Sequence, residues 1–189
     1  MRLIYAFPEP LPLERARGLQ AVHTVAALAE AGLVVDLAFA PVRGADGSVD
    51  PFSHYEVARH ARILLTPVAR AMPWPLSRVH SNRVFFANLK RRFGDRLAAA
   101  PVMVRHLKLA ALLARDVPQA KFLYEAHEVF GETATAGKRE ANRALERRVM
   151  AHAAAVVANS AATASRLREL YGRSGFLEDR KSTRLNSSH

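Results

Sequence analysis

The sequence predicts a doubly wound α/β fold, a mainly parallel sheet with helices on both faces. Two observations lead there. Short apolar runs of strand length alternate with longer stretches of helical periodicity along nearly the whole chain. Polarity also switches abruptly where a strand ends, most sharply in Lys121–Phe130, KFLYEAHEVF. There Glu125, His127 and Glu128 crowd behind Phe122, Leu123 and Tyr124. Ligands of open parallel sheets bind just outside the carboxyl ends of the strands, so this cluster is a site candidate.

Arg2–Phe7, RLIYAF, is an apolar run that reads as the first buried strand. Pro8, Pro10 and Pro12 follow within five residues, which predicts a stiff extended loop from Pro8 onward. Glu14–Ala31 reads as a helix: Leu19, Val22, Ala26 and Ala29 recur at three and four on one face, and Gly32 is a natural stop. Leu33–Phe39 is a second strand, so the chain opens on a βαβ unit with parallel strands. Pro41–Asp50 is a turn-rich loop with an Asp-Gly pair, Pro51–Ala58 a short helix and Arg62–Thr66 a third strand. Pro67–Pro75 contains the single tryptophan and shows no assignable period.

Ser77–Ala99 is helical, with Val84, Phe85, Leu89 and Phe93 as an apolar seam and Lys90, Arg91 and Arg92 as a solvated face. Pro101–Arg105 is the fourth strand, His106–Arg115 a helix and Ala120–Tyr124 the fifth strand. Lys138–His152 is a charged helix and Ala153–Ala158 the sixth strand. Asn159 and Ser160 open a last helix to Tyr171, with Ser160 as N-cap and Gly172 as stop.

The 189 residues, 50% hydrophobic, suit a globular fold with a real core; a domain of about 150 residues buries about 70% of its unfolded surface. No membrane span or secretory leader is visible, and with no cysteine there are neither disulfides nor thiolate metal sites. A cytoplasmic location is expected. The net charge is +11, and arginine outnumbers lysine 23 to 5. Such a chain attracts anions. It has no five-residue basic block and no glycine-aromatic RNA motif, so nucleic acid is not an expected partner. Peripheral contact with an anionic membrane at its inner face remains open.

Several signatures are missing. No G-x-G-x-x-G follows the first strand, which argues against a nicotinamide dinucleotide. No P-loop, Asp-x-Asp or H-E-x-x-H occurs, so no resident cofactor or metal is expected.

Four segments together resemble the N-terminal domain of glycosyltransferase family 4, retaining enzymes built from two facing Rossmann-like domains (the GT-B fold). They are residues 16–39, residues 102–114, KFLYEAHEVF at 121–130, and LERRVMAHAAAVVANSAATASRLRELYG at 145–172. The set of YE-x-HE, then a helix with Glu146, then VVANS carries the likeness. It implies a hexosyltransferase type of enzyme that moves a sugar from a nucleotide-sugar to a carbohydrate or lipid-linked acceptor with anomeric retention. The nucleotide-sugar is a co-substrate, and the N-terminal domain mainly holds the acceptor. His127 matches the position facing the donor sugar, where an imidazole hydrogen-bonds a hydroxyl. Glu125 and Glu128 flank it. Arg105, ending the fourth strand, meets an anionic acceptor or phosphate, or else pairs with Glu125 or Glu128. Arg15, Arg17 and Gln20 open the first helix as an anion-facing rim. Ser160 is chiefly a cap, with a cleft-facing role as the alternative.

Two departures from the family stand out. The loop after the first strand carries prolines where many members have glycines, which favours acceptor gating over phosphate contact. The C-terminal half that carries the family's donor-gripping Glu-x7-Glu region has no counterpart here, so the expectation is an acceptor-side domain over residues 1–175, inactive without its C-terminal domain. Leu177–His189, LEDRKSTRLNSSH, is similar to the translated adapter read-through ending many truncated metagenomic reading frames. Residues 176–189 are accordingly expected to be a disordered, non-native tail. The alternative to an enzyme is a non-catalytic Rossmann-like module that binds anions or membrane surfaces.

Overall fold

A computed structural model describes residues 1–42, 50–72 and 81–178. Seven parallel strands with helices around them form an α/β sheet of order β3-β2-β1-β4-β5-β6-β7. The chain makes two compact units, Met1–Val102 and a second beginning at Met103.

In the first unit, β1 (Arg2–Leu11) pairs in parallel with β2 (Val34–Pro41), and β2 with β3 (Ile63–Pro67). β1 therefore runs past Phe7, contrary to the loop that the prolines predicted. Its register against β2 shifts between Phe7 and Pro10, so Pro8 falls within a bulge and the pairing resumes with Pro10 opposite Ala40. α1 (Ala16–Glu30) crosses from β1 to β2 with Ala21, Val22, Val25, Ala26 and Ala29 buried. Leu19, expected on that face, is exposed instead. Tyr55, just after α2 (Pro51–His54), locks the turn that follows β1. Its hydroxyl accepts from Leu13 N at 2.6 Å and donates to Leu13 O at 2.5 Å. That hydroxyl occupies the space a Cβ on Gly18 would need.

The long helix expected to end at Ala99 is divided. Gly94, at φ +52°, closes α3 (Asn82–Phe93) before the single turn α4 (Arg96–Ala99). Ser81 caps α3 by accepting from Val84 N at 3.1 Å. Residues 77–80, the expected start of that helix, lie outside the described residues, as do 43–49 of the turn-rich loop and 73–75 of the unassigned stretch.

Asp36 is buried within β2 and bound by two guanidiniums. Arg2 Nε lies at 2.7 Å and Arg96 Nη2 at 2.5 Å. Burial pushes its carboxyl up, but the two arginines outweigh burial and hold it below the usual carboxylate range.

The second unit carries β4 (Val102–Val104, which straddles the boundary), α5 (Leu107–Asp116), β5 (Phe122–Ala126), α6 (Phe130–Thr133), α7 (Ala136–His152), β6 (Ala155–Ala158), α8 (Ala161–Tyr171) and β7 (Phe176–Glu178). α5, the helix expected over His106–Arg115, buries Leu107, Leu109, Ala110, Ala111, Leu113 and Ala114 and exposes Lys108 and Arg115. β7 corrects the sequence reading. Phe176, Leu177 and Glu178 pair in parallel with Val156, Val157 and Ala158, so these three residues belong to the sheet and not to a tail. Arg168 of α8 lies over the Phe176 ring at 5.5 Å. Residues 179–189 lie outside the described residues. Among the described residues no helix is long and apolar enough to cross a membrane.

Candidate functional site

The site candidate grows from the alternation of β5. Phe122, Tyr124 and Ala126 are buried, while Leu123 and Glu125 point to the other side and are half-buried. Beyond Ala126 the chain leaves the sheet at its carboxyl edge. His127 turns back so that its Nε2 lies 2.6 Å from Glu125 Oε1. An ionised carboxylate only accepts, so Nε2 is the donor of this pair, and Nδ1 is the ring nitrogen left to face a hydroxyl. The imidazole is 22% exposed and the carboxylate 12%, so the pair is sheltered yet reachable.

The neighbouring strand end fixes the backbone here. Asn159 N donates to Ala126 O at 3.0 Å, continuing the β5–β6 ladder, and Asn159 Nδ2 donates to His127 O at 2.9 Å. Ser160 is committed to capping: its Oγ accepts from Thr163 N at 3.2 Å and lies 3.0 Å from Thr163 Oγ1. Glu128 is exposed, and its Oε2 accepts from Thr133 Oγ1 at 2.8 Å.

Arg105 follows the end of β4 on the same carboxyl edge. Among the described residues it pairs with neither Glu125 nor Glu128, and its Nη1 is enclosed without a hydrogen-bond partner. Enclosed guanidinium N–H groups seek an acceptor oxygen, best an anionic one. Thus Arg105, His127 and Ser160 all follow ends of adjacent strands β4, β5 and β6.

In the first unit the expected rim is only partly available. Arg15 is the exposed N-cap residue of α1 and makes no side-chain cap bond, and Gln20 is exposed on the same helix. Arg17 Nε instead lies 2.7 Å from Glu9 Oε2, so its charge is already matched by a carboxylate from the end of β1.

Sequence reasoning gave Glu146 a place in a motif but no role. It is fully buried on α7, on the face that also buries Val149 and Met150. A carboxylate on an apolar face must find donors. Glu146 finds three: Phe130 N at 2.6 Å, Gly131 N at 2.9 Å and the Tyr171 hydroxyl at 2.7 Å. Burial pushes its pKa up while these donors oppose the shift, leaving it raised. Burial and the Glu146 charge likewise push the hydroxyls of Tyr124 and Tyr171 up. Asn142 Nδ2 donates to Phe130 O at 3.2 Å, and Arg166 of α8 clasps Glu132 through Nε at 2.9 Å and through Nη2. α6 is therefore tied to both α7 and α8. The signal was legible as spacing: Asn142, Glu146 and Met150 fall at intervals of four on one helix face. Among the described residues no group of three or more His, Asp or Glu side chains is placed to hold a metal ion.

No family model and no curated protein matches the chain. Solved structures do. The crystal structure of Anabaena Alr3699/HepE in complex with UDP is similar, with a TM-score of 0.58 and 13% identity. The match covers 94% of this chain and 43% of that one, so the chain spans less than half the length of that protein. At this identity the likeness concerns the fold.

Proposed function

We propose that this chain is the acceptor-side half of a retaining glycosyltransferase that takes its sugar from a nucleotide-sugar. The observation that carries the reading is the sheltered His127–Glu125 pair at the carboxyl end of β5, in a fold shared with a protein crystallised with UDP. Glu125 orients the imidazole, and Nδ1 faces a hydroxyl of the donor sugar. Arg105, whose Nη1 is enclosed without a hydrogen-bond partner among the described residues, meets an anionic oxygen of the acceptor or the phosphate. Arg15 and Gln20 are the residues of the first unit proposed to meet the acceptor, and Glu128 follows His127 in the second. The partner that completes the donor site is a second, C-terminal domain, and transfer depends on holding both substrates together.

Calorimetry tests this. UDP and UDP-glucose are expected to bind this chain weakly, and to bind clearly once the chain is continued by a natural C-terminal domain. In that longer form His127→Ala is expected to lower transfer by roughly 10- to 100-fold, the loss of one or two polar contacts, and the product keeps the donor's anomeric configuration. Nucleotide binding unaffected by the second domain, or undiminished transfer by His127→Ala, overturns the reading.

A further inference from the structure

We propose that Glu146 is a positioning residue for His127, an inference that rests on the site role just proposed for that imidazole. The segment His127–Val129 has no regular hydrogen-bonded structure of its own, yet both of its ends are held. At one end Asn159 Nδ2 grips His127 O. At the other, Glu146 accepts from the N–H groups of Phe130 and Gly131, the two residues immediately after the segment. Two fixed points three residues apart leave the intervening backbone little freedom, and the imidazole direction follows from it.

Three features make Glu146 suited to this task. It is fully buried, so no solvent competes for its oxygens. Its third donor, the Tyr171 hydroxyl, comes from the end of α8, so the carboxylate's own direction is fixed. Gly131 permits the approach: a Cβ there would sit 2.9 Å from Glu146 Oε2 and 2.5 Å from Arg143 Cγ. A carboxylate accepts from all three donors at once, whereas a glutamine offers one oxygen and sets its NH2 against a remaining N–H.

The test compares the parent chain with Glu146→Gln, Tyr171→Phe and Glu125→Gln, reading backbone amide exchange and imidazole resonances by NMR. In Glu146→Gln, exchange at Phe130 and Gly131 is expected to accelerate at least tenfold. The His127 ring signals should move toward those of Glu125→Gln, while those of His23 and His54 stay in place. Tyr171→Phe, which keeps the carboxylate and removes one donor, should move the His127 ring the same way by less, and it carries the test alone if Glu146→Gln does not fold. His127 signals unchanged in every folded variant, with faster exchange at Phe130 and Gly131, would reduce Glu146 to a cap on α6 and overturn the proposal. A His127 ring that moves as expected, in a protein whose two-domain form does not bind UDP, upholds the positioning and sinks the sugar-transfer reading.

Discussion

Asp36 links one side chain to the acid limit of the fold. Its carboxyl is held low by Arg2 and Arg96 against the opposing effect of burial. The unfolded chain, with an ordinary Asp near 3.9, then binds the proton more readily than the folded one. The stabilisation is complete above about pH 4 and is lost as pH falls through the lower folded value. Asp36→Asn is expected to cost about 1–3 kcal/mol at pH 7, discounted because both arginines are half-exposed. Urea unfolding at pH 7 and near pH 3 should show the gap between parent and variant narrowing at the lower pH. Gly131→Ala belongs at this scale too: its methyl must displace Arg143 or Glu146, at about 1–3 kcal/mol, measured the same way. A lone aspartate inside LVVDLAF already announces a buried charge that needs partners. That Arg96 is one of them was beyond the sequence, because the two stand 60 residues apart and only the folded backbone brings them together.

Whole elements were read with more success where their signals are local. Ser160 was legible as a cap because the bond it makes is three residues long, and Ser160→Ala is expected to lower stability by about 1 kcal/mol in thermal unfolding. The end of α7 is secured from a distance instead: Arg173 donates through Nη1 to Met150 O and through Nη2 to Ala153 O at 2.6 Å. A cation beside the last carbonyls of a helix opposes the negative end of its dipole. Arg173→Ala should therefore cost about 0.5–2 kcal/mol, visible as a lower denaturation midpoint. Non-local pairing explains the elements that were misjudged. Pro8 and Pro10 argue for a loop until the bulge against β2 is known, and Phe176–Glu178 are too short to read as a strand without β6 beside them. α6, a single turn, owes its place to Glu146, Asn142 and Arg166, none of which neighbours it in sequence.

At the scale of the molecule, the alternation of strand and helix was enough to derive the parallel α/β architecture, since parallel neighbours require crossovers. The same architecture makes every strand pairing long-range in sequence, so refolding is expected in milliseconds to seconds, checked by stopped-flow circular dichroism. Microsecond refolding would contradict it. The candidate site was legible as a cluster of residue types, but the bond between Glu125 and His127 and the anchoring of the segment beside them needed coordinates. The clasp around α6 also bears on anyone wishing to retrain this protein toward a new ligand. Codons 130–132 leave little room for a mutant library, because each serves a neighbour already: backbone to Glu146 at two positions, a carboxylate to Arg166 at the third. Diversity is better placed at codon 128, whose solvent-facing side chain accepts from a threonine hydroxyl and binds no backbone group among the described residues.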